Sequence, residues 1–143
     1  MWIFDSSIDK KMNSFALLIV RVVVGCFMMT HGIQKYQMLM AGGPVKFMDP
    51  IGIGEGPSLL LAVFAELVCS ALLIIGFATR VVIVPLIITM IVAVFIVHAP
   101  DGFEVKETAG IYLMIYVFLL ITGSGKYSVD GLINRNNKKK SYY

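Results

Sequence analysis

Four long apolar runs, separated by polar breaks, dominate the chain. They lie at about residues 13–35, 58–77, 81–99 and 107–123. A helix needs roughly 20 predominantly apolar residues to cross a bilayer's hydrocarbon. The first three runs meet this outright. The fourth is apolar only over about 109–122, and reaches span length by taking in Glu107, Thr108 and Gly123. In hydrocarbon every backbone N–H and C=O must be paired internally, which leaves helices or closed barrels. The runs do not alternate apolar and polar positions, so they do not read as barrel strands. The expectation is an all-α fold, an integral membrane four-helix bundle forming one domain over 1–143.

The breaks differ in kind. Residues 36–57 carry Gly42-Gly43-Pro44, Asp49-Pro50 and the series Gly52, Gly54, Gly56 and Pro57, which turn the chain. This loop also holds Met38, Leu39, Met40, Phe47, Met48, Ile51 and Ile53, too much apolar surface for a free linker, so part of it should lie on the bundle or in the membrane interface. Residues 76–80 make a tight turn, which sets the second and third spans antiparallel. Pro85 is expected in the first turn of the third span, where a missing N–H costs little.

Composition supports lipid as the solvent. The chain is 58% hydrophobic and 15% charged, against about 45–50% and about 25% in soluble domains. The net charge of +3 includes Lys138, Lys139 and Lys140 in the tail. A basic tail at a membrane surface explains them, and no nucleic-acid partner is expected. Lys10, Lys11, Arg80, Lys126, Arg135 and the tail lysines fall on one side, with Lys35, Lys46 and Lys106 on the other. The positive-inside rule then puts both termini in the cytoplasm (residues 1–12 and 124–143) and the 36–57 loop outside. The first run outlasts a signal-peptide core and ends in no clean cleavage site, so it reads as a retained span. Cys26 and Cys69 lie in apolar runs, outside any C-x-x-C or zinc spacing, and read as small buried hydrophobes.

Ionisable groups within the spans carry the chemistry. Arg21 falls about 12 Å into the first span and Glu66 about 16 Å from the inner end of the second, at 1.5 Å per residue. A lone charge at such depth is costly, so the two are expected to pair across the first two helices. The pair has two readings, a lock on helix register, or a role in ligand binding (the floor of a pocket) or proton transfer. Arg21, Gly25, Met28, Gly32 and Lys35 share one helical face, and the glycines allow a close helix approach. Toward the outer surface His31, Lys35, His98 and Glu107 come from three spans at similar height. They are candidates for the pocket's mouth, because histidine can relay protons or bind a quinone oxygen. No ligand spacing supports a metal. An Arg80–Asp130 contact is expected to be structural. Tyr112, Tyr116 and Phe118 are expected to pack the bundle.

Several residues together form a known pattern. They are Arg21-x-x-x-Gly25, His31-Gly32-x-x-Lys35, Glu66, Gly76-x-x-Thr79-Arg80, His98, Glu107 and Gly123-x-Gly125-x-x-Ser128-x-Asp130. In these the chain resembles the DoxX family of small four-helix membrane proteins, over about residues 13–131. The resemblance implies a membrane subunit associated with quinone-linked or thiol-linked oxidoreductases, the family name tracing to a thiosulfate:quinone oxidoreductase subunit. It also implies a bacterial cytoplasmic (inner) membrane location.

The expected function is therefore a subunit that binds quinone or a small acidic or sulfur-containing ligand within the bundle and supports a partner oxidoreductase, with a homo-oligomer as a further association. The sequence carries no haem, flavin or nicotinamide signature. Two other classes stay open: a non-enzymatic assembly factor or scaffold, and a small transporter or proton path.

Overall fold

The structure, a computed structural model, describes residues 10–140, with side chains through Asn137. The side chains of Lys138–Lys140, on which the basic-tail expectation rests, lie outside the described residues, as do residues 1–9 and 141–143. Five helices run in chain order: α1 Lys10–Met40, α2 Glu55–Ile75, α3 Thr79–Val97, α4 Phe103–Thr122 and α5 Val129–Lys140. The first four are long and apolar enough to cross a membrane. Among the described residues there is no strand. The fold is the all-α four-span arrangement the hydropathy pattern predicts.

The boundaries move where local chemistry decides them. α1 runs five residues past the expected end, because no breaker occurs between Tyr36 and Gly42. α2 starts three residues early. Its Pro57 sits in the first turn, where no N–H is missed. Starting α3 at Thr79 puts Pro85 inside the helix, past the first turn where it was expected. Thr89 Oγ1 donates to the Pro85 carbonyl at 2.9 Å. α2 ends in a Schellman motif: Gly76 is left-handed (φ 70°), and the Phe77 and Gly76 amides return to Leu72 and Leu73.

α1 buries one stripe, Leu17, Arg21, Val24, Gly25, Met28 and Gly32, at three- and four-residue spacing. Its opposite face exposes Phe15, Ile19, Val23 and Phe27. On a span, that face meets lipid. The core joins Leu17, Val24 and Met28 to Leu73, Leu86 and Leu119, with Tyr116 fully buried among them. Phe118 points outward. Cys69 is buried, while Cys26 lies on the exposed side of α1.

α1 and α2 approach closely at two glycines, against main chain at Gly32 and against the Ile74 side chain at Gly25. A Cβ on Gly32 would stand 2.6 Å from the Glu66 carbonyl carbon, and one on Gly25 would stand 2.6 Å from Ile74 Cγ1. At Gly32 the obstacle is main chain and cannot rotate aside. Gly32→Ala should therefore lower unfolding free energy by about 1–3 kcal/mol. Gly110→Ala, in α4 with nothing within 4 Å of the added methyl, should be neutral or stabilising by about 0.5–1 kcal/mol. Thermal melts of both variants in one detergent check this contrast.

Candidate functional site

The polar residues of the spans sort into two clusters at opposite ends of the bundle. The first surrounds Arg21, which is 1% exposed. Its guanidinium donates to the carbonyl oxygens of Ser124, Tyr127 (2.9 Å) and Ile74 (3.4 Å). Ile74 belongs to the last turn of α2, where the Schellman amides take Leu72 and Leu73 but leave the Ile74 carbonyl, which the cation meets. Ser124 and Tyr127 lie in the α4–α5 connection. One side chain of α1 thus ties down the end of α2 and the linker after α4. Gly76 leaves room for it, since a Cβ there would meet the Arg21 guanidinium at 2.7 Å.

Asp130 completes this clasp. Its two carboxylate oxygens accept from the Ala78 and Thr79 amides at 2.8 and 2.9 Å, capping α3 from a distant helix. That capping also holds Ala78 in a left-handed conformation (φ 48°) that alanine disfavours. Burial pushes the Asp130 carboxyl up. Hydrogen bonds from Thr79 and Ala78, with the charge of Arg21, outweigh it and hold the group below its ordinary range. Ser128 Oγ accepts the Gly131 amide and donates within the linker.

Two expected contacts do not form. Arg21 does not pair with Glu66. It lies level with Gly76, while Glu66 lies level with Gly32. The offset is ten residues of α2, about 15 Å. Arg80 does not pair with Asp130 either. Its exposed side chain lies against Gly123, and Asp130 is taken by main-chain amides.

The second cluster lies at the long-loop end. Glu66 is paired with Lys35, Nζ to Oε2 at 2.5 Å, with the carboxylate 5% and the lysine 24% exposed. Both border a cavity of about 300 Å³. α2 contributes Ser58, Leu61, Ala62 and Glu66; α3 and the turn after it contribute Ile88, Thr89, Ala93 and His98; the loop closes it with Phe47, Met48, Pro50 and Ile51. Part of the loop thus lies on the bundle: Phe47 is half-buried, Met48 and Ile51 border the cavity while more than half exposed, and Ile53 is exposed away from it. Asp49 anchors that loop, accepting from the Ile53 and Gly54 amides and from Ser58 Oγ. Hydrogen bonds led by that from Gly54, with those from Ser58 and Ile53, hold its carboxyl below the ordinary range against the opposing effect of desolvation.

Of the expected pocket residues, Lys35, Glu66 and His98 meet at this cavity. Arg21, His31 and Glu107 do not border it. His31 is exposed, edge-on to Tyr112 at 6.3 Å, and Tyr112 in turn stacks on Tyr116. Glu107 is exposed. Ser58, Thr89, Asp49 and Asp101 do not stand out as site residues in the sequence. Small hydroxyls and turn-forming aspartates have ordinary structural uses, and only the folded loop brings them to one place. Asp101 Oδ2 stands 2.7 Å from His98 Nδ1. Among the described residues no three His, Cys, Asp or Glu side chains gather as a metal site needs.

The DoxX family profile matches residues 16–99, more than half of the chain. The chain belongs to the DoxX family. It is similar to an uncharacterized membrane protein of Mycobacterium tuberculosis, 30% identical over 135 residues that cover 84% of this chain and 82% of that one. It is similar also to a Bacillus subtilis protein named "Putative oxidoreductase CatD", 31% identical over 132 residues covering 90% and 95%. An uncharacterized protein of Haemophilus influenzae is 29% identical over 128 residues, covering 85% and 92%. No solved structure matches the chain.

In this DoxX-family bundle the Lys35–Glu66 pair is removed safely only as a unit. Lys35→Met strands a carboxylate in the interior and should cost about 2 kcal/mol, below the fully buried range because the lysine is partly wetted. Lys35→Met with Glu66→Gln should recover most of that loss in thermal melts. Asp130 gives a separate acid signature. Its carboxyl titrates lower in the folded than in the unfolded chain, so its contribution is complete above the unfolded value and is lost as pH falls below about 4. Asp130→Asn should flatten that limb of a stability–pH profile.

Proposed function

We propose that this DoxX-family protein is a membrane subunit of a quinone- or thiol-linked oxidoreductase system, and that it binds a small lipid-soluble ligand in the cavity beside Lys35 and Glu66. The cavity itself carries this reading. Its volume falls at the lower end of the roughly 300–1,000 Å³ usual for small-molecule sites, apolar with a few placed polar groups. Two of its lining residues, Leu61 on α2 and Ile88 on α3, are also more than half exposed on the bundle's outside. The mouth therefore faces the acyl chains between those helices. A ring-sized head fits the cavity while a tail stays in lipid, which is the shape of a quinone and poorly suits a freely diffusing ion.

The polar groups suit the same ligand. Lys35 is a donor at the deep wall and His98 an exchangeable ring nitrogen at the outer wall. Quinone reduction takes up two electrons and two protons. The protons have titratable neighbours here, and the electrons would come from a partner oxidoreductase subunit. The name of the Bacillus subtilis relative agrees in class. The distribution of lysine and arginine supports a bacterial inner-membrane placement, with both termini in the cytoplasm and the cavity toward the outer face.

Purified protein in nanodiscs should bind decylubiquinone with a saturable isotherm. Ala93→Phe, which fills the cavity, should weaken binding at least tenfold while leaving the melting temperature within a few degrees. Wild-type protein with no measurable affinity, or equal binding by the filled variant, rejects the reading.

A further inference from the structure

The hydrogens of the cavity's polar side chains are already committed. Ser58 Oγ donates to Asp49 Oδ1 at 2.8 Å. Thr89 Oγ1 donates to the Pro85 carbonyl at 2.9 Å. His98 Nδ1 faces Asp101 Oδ2 at 2.7 Å. A carboxylate only accepts, so Nδ1 carries the hydrogen, and in the neutral ring Nε2 is left with a lone pair. Glu66, bound to Lys35 through Oε2, is itself an acceptor. Each of these four side chains borders the cavity. What they still offer a ligand is lone pairs. Lys35 alone among the lining side chains keeps N–H groups to give, since Glu66 takes one of its three.

Resting on the reading that this cavity binds a quinone-type molecule, we propose that the site is built for the reduced form, a lipophilic ligand bearing phenolic hydroxyls. A hydroxyl donates to one of the waiting lone pairs and accepts from Lys35. A carbonyl can use only Lys35 and leaves the acceptors facing it unpaired, a full cost at buried Glu66 and Ser58 and a smaller one at His98, whose side chain is partly exposed. Asp101 is then a positioning residue. It acts through His98, by fixing the tautomer whose lone pair points away from the loop.

The test compares one scaffold in two oxidation states. Decylubiquinol and decylubiquinone are titrated anaerobically into nanodisc-embedded protein at pH 8, above the usual range of imidazole titration. The quinol should bind at least tenfold more tightly. Asp101→Asn removes the obligate acceptor at Nδ1 and should narrow the ratio, with the ¹⁵N spectrum of His98 moving from an Nδ1–H pattern toward a mixture. Thr89→Val, which deletes a lone pair at nearly constant volume, should narrow it as well. Equal affinities, or tighter quinone binding, overturn the preference while leaving the cavity a quinone site. Binding of neither form overturns both. A wild-type His98 spectrum with the hydrogen on Nε2 removes the role given to Asp101 and with it the preference built on that lone pair.

Discussion

Where α2 passes Gly32, its backbone comes so near to α1 that even a methyl group would strike the Glu66 carbonyl carbon at 2.6 Å. Much of the site depends on that approach. A carboxylate in hydrocarbon stays charged only beside a cation. The cation available to Glu66 is Lys35, three residues beyond Gly32 on the same face of α1. Three residues is almost one helical turn, about 4.5 Å along the axis. A side chain at that point would push the two backbones apart and lengthen the reach the lysine stem must make. The glycine and the ion pair are thus one device, which sets how α1 lies on α2 and leaves a polar wall for the space between α2 and α3.

The two polar clusters divide the work of the fold. At the end bearing the termini, Arg21 and Asp130 satisfy main-chain groups: the guanidinium meets carbonyls at the end of α2 and in the linker, and the carboxylate meets amides at the start of α3. Such groups have no water to turn to if the span ends sit within the membrane. At the other end the charges are paired side chain to side chain and a cavity remains beside them. The motif Gly123-x-Gly125-x-x-Ser128-x-Asp130 belongs to the first end. Gly123 and Gly125 take positive φ, Ser128 caps α5 and Asp130 caps α3, so the pattern describes a clasp.

The spans, the buried face of α1 and the contact of part of the long loop with the bundle were legible in sequence, because each depends on how many apolar residues occur and at what spacing. Depth was not. Arg21 and Glu66 both read as mid-membrane when counted from the apparent ends of their spans, yet the antiparallel register sets residue 21 beside 76 and residue 32 beside 66. Helix ends inferred from hydropathy drift by several residues, and two such errors add when helices run in opposite directions. The signal that would have resolved it was present: Gly32 and Lys35 share the Arg21 face, and a glycine on a buried stripe marks the level of closest contact. Hydrogen-bond commitments, such as those of Ser58 and Thr89, have no sequence signature, since they depend on which acceptor the fold brings near.

Both walls of the cavity carry a widened turn. α2 is π-helical over Phe64–Cys69 and α3 over Ala93–Val97. A π turn lodges one extra residue and rotates the later turns of the helix relative to the earlier ones. It does so at the expense of good hydrogen-bond geometry, and it recurs at functional sites. Here the first contains Glu66 and the second ends against His98, the two titratable residues that α2 and the end of α3 give to the cavity. Uniform α-helices would keep each apolar stripe on one face throughout. The inserted residues let α2 and α3 pack on the core along most of their length while turning a carboxylate and an imidazole into the same space. The second insertion adds little to the core, since none of the residues Ala93–Val97 is fully buried, although Ala93, Val94 and Val97 are half-buried. That distortion is better explained by the imidazole it aims at the cavity than by any contribution to packing.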